Sequence, residues 1–419
     1  MRTFEEIQVE VDEAINVKDA KALFLLATEL DAIGTQQAEA LACRARGIAN
    51  SLHGDYPSAL EHFHKALAIH EELGDGRGVA RVLGNIGTVN KETGDYPAAL
   101  EHSLRALAML EELGDRRGLA RVTGNIGLVL QQTGDYTAAL EYYHRALALH
   151  EQLGNRRGVA LVTGNIGHVY NVTGSYPSAL EHLHRALAML EELGDHHGVA
   201  RVTGNIGLVL CNTADYPSAL EHFHRALAMH VEHGNRHAVA TATGNIGNVY
   251  HLTGDHPAAL EHSLRALAML EDLGDRHGVA TATSNIGSVH AGTGNFPAAL
   301  EHFHRALALH KELGERHSVA YVTGNIVGAY LAMNSNAEAQ VSLAAIDALQ
   351  IDDPSVRVSR EHSRATLLER SGNVDGAAAT LQRVLAEALE HGMRLESAET
   401  HKRLRDLALK QNNLASYVE

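Results

Sequence analysis

Histidine is the first residue type in this sequence whose abundance and spacing could do chemistry, with 29 copies in 419 residues. Many recur at multiples of 40 residues in three columns: His62, His182, His222 and His302; His64, His144, His184, His224 and His304; and His70, His150, His230 and His310. Imidazole exchanges a proton near neutral pH, but a metal site needs ligands that converge on one ion. His62 and His64 fall on nearly opposite faces of a helix, and a turn interrupts the best-spaced pair, His233 and His237. The spacing therefore predicts duplicated surface histidines and no metal site.

A row of asparagines is the second such feature. GNIG begins at residues 84, 124, 164, 204 and 244, SNIG at 284 and GNIV at 324, which places Asn85, Asn125, Asn165, Asn205, Asn245, Asn285 and Asn325 in one column. A carboxamide offers one acceptor and two donors, which match the donor and acceptor of a peptide bond. The asparagines therefore either hold the backbone of a bound peptide or hydrogen-bond a neighbouring helix and maintain the repeat spacing.

The glycines of the same motif need a reason of their own, because each costs about 1 kcal/mol relative to alanine inside a helix. We expect the second glycine, such as Gly127, to let paired helices approach closely. The first, such as Gly124, is expected to leave the surface beside the asparagine bare.

Catalytic and cofactor motifs are absent from the sequence. It contains no G-x-S-x-G, no phosphate-binding loop, no C-x-x-C and no carboxylate pair that differs from the repeated acids. A repeat array distributes its residues evenly, whereas an active site needs one irregular cluster. We therefore expect neither an enzyme nor a bound cofactor. The two cysteines, Cys43 and Cys211, lie in helical patterns, which predicts buried thiols and no disulfide.

The charge balance limits the partners. With 51 acidic and 35 basic residues the net charge is -16, and phosphate binding needs a basic surface, so we expect neither nucleic acid nor an anionic membrane as partner. The first residues, MRTFEEIQVEVDEA, include early acids and no apolar run, which is not typical of a signal peptide. No stretch approaches the length of a membrane span. These features predict a cytoplasmic protein.

A repeat of 40 residues, without insertion from Gly54 to Met333, positions the histidines and asparagines. Repeats of this period form stacked units, and each copy holds two stretches with apolar residues at helical spacing. Gly-Asp or Gly-Asn pairs separate the helices, with glycine supplying a left-handed exit and the next residue the N-cap; prolines mark helix starts. Pairs such as Glu61 with Lys65 and Glu101 with Arg105 predict ion pairs one helical turn apart.

The repeat pattern divides the chain into three regions. Residues 1–53 contain three predicted helices, which we interpret as capping helices and a degenerate repeat. Residues 54–333 hold seven regular units. Residues 334–419 contain four further predicted helices, interpreted as degenerate units with a capping helix, and no linker rich in Pro, Gly or Ser separates the regions.

The repeat resembles the tetratricopeptide repeat (TPR). The resemblance rests on the frame Asn165, Ile166, Gly167 and Tyr170 followed by GSYPSALEHLHRALAM, and it covers residues 54–333 closely. The 40-residue form with "LGD" between repeats resembles Pins/LGN polarity adaptors, kinesin light chains and bacterial peptide-sensing regulators. The resemblance implies an all-α, right-handed superhelical solenoid of antiparallel helix pairs. It also implies a concave groove, lined by the first helices, whose asparagines bind an extended peptide.

The residues at position 81 and at position 88 of the repeat register vary between copies, whereas scaffold positions such as Ala59, Ala66 and Ala80 do not. They contribute the candidate groove residues Arg81, Arg121, Arg201, Leu128, His168 and Asn248. The arginines belong to earlier repeats, and Thr241, Thr281 and Tyr321 take their place later. This order predicts a ligand that is acidic at one end, although neutral drift of surface positions would produce the same variation.

Three functions remain open from the sequence. The first is a protein-interaction scaffold that binds a peptide or partner segment. The second is the regulatory region of a larger signalling enzyme, because the final residues, LRDLALKQNNLASYVE, resemble the segment that precedes the catalytic domain in some bacterial adenylate or guanylate cyclases. The third is a solenoid that mainly self-associates into a homo-oligomer.

Overall fold

The structure, a computed structural model, describes residues 2–17, 19–351, 354–390 and 394–410. These residues form 21 α-helices and no strand. The helices are α1 Phe4–Asn16, α2 Ala20–Asp31, α3 Gln36–Leu52, α4 Tyr56–Glu72, α5 Gly76–Glu92, α6 Tyr96–Glu112, α7 Arg116–Gln132, α8 Tyr136–Gln152, α9 Arg156–Val172, α10 Tyr176–Glu192, α11 His196–Asn212, α12 Tyr216–Glu232, α13 Arg236–Leu252, α14 His256–Asp272, α15 Arg276–Gly292, α16 Phe296–Glu312, α17 Arg316–Ala332, α18 Asn336–Ala348, α19 Pro354–Arg370, α20 Val374–Glu390 and α21 Arg394–Lys410.

Local sequence sets the ends of the regular helices, as predicted. The Asp95 carboxylate, at the N-cap of α6, accepts a hydrogen bond from the backbone N–H of Ala98 at 3.1 Å, and Pro97 lies in the first turn, where no intrahelical donor is lost. The turn before it contains Gly94 at φ +83°. Ala214 and Asn334 occupy the equivalent turn position in two repeats and adopt the same left-handed conformation, at φ 63° and 60°.

The helices belong to two compact units, Met1–Val169 and Tyr170–Glu419. Within each unit, consecutive helices pack as antiparallel pairs joined by short turns. An odd-numbered helix also contacts the next odd-numbered one: α3 contacts α5 and α5 contacts α7 in the first unit, and α11, α13, α15 and α17 continue this pattern in the second. These odd-numbered helices therefore form a continuous layer, from α3 to α7 in the first unit and from α11 to α17 in the second.

The core of each pair depends on small residues at the helix crossings. Ala59, Ala66 and Ala80 are fully buried. Gly127 on α7 faces Tyr143 on α8, and a Cβ on Gly127 would lie 2.7 Å from the ring. The prediction that the second glycine of the motif allows close helix approach is confirmed. Gly124 differs, since its Cβ would meet only the Ala146 Cβ, at 3.9 Å, so packing does not require glycine there.

The ion pairs along the even-numbered helices correct one expectation. Lys65 binds Glu61 one turn away at 2.7 Å, as predicted. Arg105, however, reaches Glu71 of the preceding even-numbered helix at 3.2 Å, and the prediction that it pairs with Glu101 is wrong. Glu71 lies closer to the guanidinium across the helix interface. Because these pairs are exposed, each contributes little to stability.

The histidine columns also differ from the surface assignment. The side chains of the His64 column are exposed and those of the His62 column are half-buried. The third column points toward the helix interface: His230 and His310 are only 9% and 2% exposed. Leucine occupies this column in alternate repeats, so imidazole fills a site built for an apolar side chain, and the surface prediction is wrong for the third column.

Both cysteines are buried and free, as the helical pattern predicted. Burial raises the pKa of the Cys43 and Cys211 thiols, which keeps them protonated and unreactive at neutral pH. Among the described residues, no helix has the length and apolarity needed to cross a membrane.

Candidate functional site

The candidate residues share one side of the odd-numbered helices, because positions separated by four and three residues align along a helix. We call this surface the odd-helix face and define it by the columns of Arg81, Asn85 and Thr88. The seven predicted asparagines are half-buried there. Arg121 and Asn248 are exposed, and Arg81, Arg201, Leu128 and His168 are partly exposed. The predicted side chains are thus accessible on this face.

In the first unit, two asparagines connect successive odd-numbered helices. Asn125 on α7 donates from Nδ2 to the Thr88 hydroxyl on α5 at 3.3 Å. Arg121 Nη1 donates to Asn85 Oδ1 at 3.5 Å. These contacts fit the structural interpretation of the row, in which the carboxamides help to maintain the repeat spacing.

In the second unit the row is different. The carboxamides of Asn205, Asn245 and Asn285 make no hydrogen bond to any other residue that the structure describes. Asn325 Nδ2 is buried and also lacks a partner among the described residues. The asparagine row of the second unit therefore shows none of the hydrogen bonds between helices that Asn125 and Asn85 make in the first unit.

Three arginines lie near one another in the first unit, and two of them, Arg81 and Arg121, belong to the odd-helix face. Arg44 on α3, Arg81 on α5 and Arg121 on α7 occupy successive odd-numbered helices. The surrounding protein, although Arg121 is exposed as a residue, and then the positive charges of Arg44 and Arg81 lower the pKa of Arg121. Arginine stays protonated in proteins, so the three positive charges repel one another.

The acidic groups near this cluster leave most of its charge unpaired. Arg44 donates from Nη2 to Asp12 Oδ1 at 3.3 Å, and Asp12 is half exposed. Arg44 Nε is buried without a hydrogen-bond partner among the described residues, and Arg81 has no ion pair with any of them. A ligand carboxylate would relieve both the repulsion and the unsatisfied donor.

A cavity of about 290 Å³ opens beside the arginines. Its lining includes Phe4 and Gln8 of α1, Leu41 and Arg44 of α3, and Arg81 of α5. Three guanidinium groups, those of Arg44, Arg77 and Arg81, and one carboxylate, that of Asp75, complete the lining. The cavity therefore combines an apolar wall with an excess of positive charge.

Sequence reasoning missed Arg44. In the 40-residue register it occupies the column of Gly84 and Gly124, where every regular repeat has a small residue. Continuing the register into residues 36–52 identifies it as an exception. The loss of the asparagine motif from this degenerate repeat conceals that register.

A family model described as tetratricopeptide repeat matches residues 40–112, 118–192, 158–230, 198–272 and 278–344. No curated protein sequence matches the chain. Among solved structures, a Rap protein complexed with Competence and Sporulation Factor has a similar fold, with a TM-score of 0.68 and 17% identity over 83% of this chain and 98% of that one. The Rap conjugation gene regulator of the plasmid pLS20, in complex with the Phr* peptide, has a TM-score of 0.57 and 17% identity over 67% of this chain and 75% of that one.

A third similar structure is a signal transduction ATPase with a tetratricopeptide repeat sensor from Pyrococcus horikoshii, with a TM-score of 0.51 and 12% identity over 85% of this chain and 57% of that one. At these identities the likeness concerns the fold, which is all-α and built from helix pairs as predicted. The family model itself covers well over half of the residues. The chain therefore belongs to the tetratricopeptide repeat family.

Proposed function

We propose that this protein is an interaction scaffold that binds an extended peptide or partner segment on its odd-helix face. The observation that carries the proposal is the set of carboxamides at Asn205, Asn245, Asn285 and Asn325, which have no partner among the described residues. Two proteins of similar fold were solved with Competence and Sporulation Factor and with the Phr* peptide, and these complexes support the same mode of use here.

The spacing of the asparagines suits a main chain. Neighbouring packed helices lie about 8–10 Å apart, and an extended chain advances about 3.3 Å per residue. One asparagine therefore meets an extended peptide about every three residues. Each carboxamide can accept from one peptide N–H and donate to one peptide C=O, so the row would bind many sequences by their backbone and leave specificity to the variable columns.

The arginine cluster supplies the preference for acid. The carboxylate of an Asp, a Glu or a chain terminus can accept two parallel hydrogen bonds from one guanidinium group. Arg44, Arg81 and Arg121 would therefore select acidic residues in a segment bound to the first unit. The second unit has Thr241, Thr281 and Tyr321 in the same column as Arg81 and Arg121 and would select neutral residues.

We infer that the scaffold acts without catalysis of its own and resides in the cytoplasm. A second candidate function is the sensor region of a larger signalling protein, which the likeness to the signal transduction ATPase with a repeat sensor favours. Residues 411–419, part of the segment with the cyclase-like pattern, lie outside the described residues. In either role the ligand would occupy the same face.

Peptide selection tests the proposal. A random dodecapeptide library is selected on the full chain, and enriched peptides are measured by fluorescence anisotropy against the triple variant Asn205→Ala, Asn245→Ala, Asn285→Ala. At about 0.5–1.5 kcal/mol per lost hydrogen bond, affinity should fall about ten- to a hundred-fold or more. His224→Ala is the matched control, because His224 is exposed on α12, outside the odd-helix face.

Two results would contradict the proposal. Enriched peptides that bind the triple variant and wild type equally would exclude the asparagine row as the binding surface. If no peptide is enriched and light scattering shows a mass that rises with protein concentration, the chain is instead a self-associating solenoid.

A further inference from the structure

Two histidines and one glutamate converge in the second unit, away from the odd-helix face. His277 is on α15, His310 on α16, and Glu315 immediately precedes α17. His277 Nδ1 lies 2.6 Å from Glu315 Oε1, and His310 Nδ1 lies 2.5 Å from Glu315 Oε2. One ligand atom from each residue lies within 4.8 Å of the other two. Three elements that are separate in sequence thus bring two imidazoles and a carboxylate to one point.

The same three positions exist in the other repeats, which makes the chain its own control. The corresponding sets are Arg77, Leu110 and Asp115; Arg117, His150 and Asn155; Arg157, Leu190 and Asp195; His197, His230 and Asn235; and His237, Leu270 and Asp275. Each of these sets has an arginine, a leucine or an uncharged amide in place of at least one of the three groups. Only the set at His277, His310 and Glu315 combines two imidazoles with a carboxylate.

Glu315 does not cap its helix with its side chain, although the residues at the equivalent positions of other repeats do. At the equivalent N-caps the shorter carboxylate or amide accepts a hydrogen bond from the helix, as Asp275 does from the Gly278 N–H at 2.9 Å. Glu315 is the N-cap of α17 but makes no such side-chain bond. Its carboxylate is turned to the two histidines. The Glu315 side chain therefore contacts the imidazoles and does not make the capping hydrogen bond, which would stabilise the helix.

The repeat of Glu315 departs from the others at a second position, Ser318, which affects where the His310 ring can lie. Most repeats have glycine three residues after the cap, and a Cβ on Gly78 or Gly158 would overlap the imidazole of His70 or His150. Ser318 occupies this position beside His310 and already carries a Cβ. The His310 ring therefore cannot adopt the position of His70. His70 Nδ1 also lies near its own cap carboxylate, 2.9 Å from Asp75 Oδ2, so the repeat of His310 is distinguished by the added imidazole of His277.

We propose that His277, His310 and Glu315 form a binding site for a divalent transition-metal ion, with Zn²⁺ as the best match. Two imidazole nitrogens and one carboxylate oxygen are ligands that Zn²⁺ binds at about 2.0–2.2 Å, and tetrahedral ligands at that range lie about 3.3 Å apart. The two contacts to Glu315 are already shorter than this, and all three ligand atoms lie within 4.8 Å of one another, so rotation of the side chains can bring them around one ion. Three protein ligands leave the fourth position to water.

The burial of the three groups fits such a site. The side chains of His310 and Glu315 are 3% and 13% exposed, whereas that of His277 is 61% exposed. An ion can therefore enter from the His277 side and be held against the buried pair. Because the ligands come from α15, α16 and the start of α17, the ion would link one repeat to the next.

Zinc titration of the chelator-treated full chain, followed by isothermal calorimetry, tests the site. Wild type should bind one equivalent more tightly than the remaining histidines do. His277→Ala should weaken this binding at least about ten-fold, since even indirect changes around metal ligands cost about ten- to a hundred-fold. His237→Ala, in the same column but beside Leu270, should leave the affinity unchanged. Co²⁺ in place of Zn²⁺ should show visible absorption that His277→Ala removes.

Glu315→Asp separates a metal site from a purely structural contact. Aspartate restores the usual cap and withdraws the carboxylate, so zinc affinity should fall while the melting temperature without metal is held or rises. Zinc binding of equal strength in wild type, His277→Ala and Glu315→Asp would overturn the proposal. So would binding with no equivalent tighter than the surface histidines provide.

Discussion

Gly127 and Tyr143 are in contact across the helix pair of their repeat, with no room between the glycine Cα and the aromatic ring for a methyl group. Tyr143 is completely buried, and its hydroxyl donates to Gln131 Oε1 at 2.9 Å. The ring thus packs against Gly127 while its hydroxyl is held by Gln131. Close approach at this crossing allows the helices of a repeat to pack with alanine and glycine in place of larger residues.

This contact predicts opposite effects for the two glycines of the GNIG motif. Gly127→Ala should lower the free energy of unfolding by about 1–3 kcal/mol, because overpacking forces the Tyr143 ring or the helices apart. Gly124→Ala should raise it by up to about 1 kcal/mol, because the added methyl has room and alanine favours the helix. Urea denaturation of both variants measures the difference. Equal changes in the free energy of unfolding would contradict the prediction, because they would mean that the helix crossing accommodates a methyl group at Gly127.

The asparagine row should respond differently in the two units. Asn125→Ala removes the hydrogen bond to Thr88 and should reduce stability by about 0.5–1.5 kcal/mol. Asn205→Ala with Asn245→Ala removes no such bond, so the melting temperature should be held or rise slightly. Differential scanning calorimetry decides this without a ligand. A melt lowered by several degrees in the double variant would show that these asparagines stabilise the repeats, and the binding assignment would be withdrawn.

The left-handed turn residues offer a direct test of backbone strain. Ala214 adopts φ 63° at a position where most repeats have glycine. A non-glycine residue in this region costs about 1–2 kcal/mol, so Ala214→Gly should raise the free energy of unfolding by about 1 kcal/mol. Gly254→Ala is the matched control: it has open space around its Cα and φ +83°, and it should lose a similar amount.

Acid should destabilise the protein through its half-buried histidines. Burial lowers the pKa of His150, and burial together with the charges of His197 and His233 lowers the pKa of His230. Each folded-state pKa lies below the unfolded value, so the unfolded chain takes up the proton first as pH falls. The stability present above the unfolded pKa, about 6.5, is lost as pH falls from there toward the folded pKa.

We therefore expect the melting temperature to fall between pH 7.5 and pH 5.5. His150→Leu and His230→Leu should reduce that fall, because leucine occupies this column at Leu110, Leu190 and Leu270 without titrating. Thermal melts across the pH range measure the effect. A pH dependence that these two substitutions leave unchanged would assign the effect to other groups.

The sequence by itself determined the features that depend on neighbouring residues. The 40-residue period, the caps such as Asp95 and the left-handed exits such as Gly94 follow from local geometry, because each involves residues within one turn. The close crossing at Gly127 was also predictable, since a repeated glycine inside a helix lowers helix stability and close packing against a neighbouring helix offsets that cost. The family resemblance rested on the same local pattern, and the family model bore it out.

Only the tertiary structure decided which side chains meet between repeats. Arg105 binds Glu71 in place of Glu101, and Arg44 joins Arg81 and Arg121 although its own repeat has lost the motif. His277 reaches residues 33 and 38 positions further along the chain, at His310 and Glu315. Helical spacing places residues on a face of one helix, but contact between helices depends on how the helices pack. A single repeat contains none of these three clusters, because each needs side chains from neighbouring repeats to be complete.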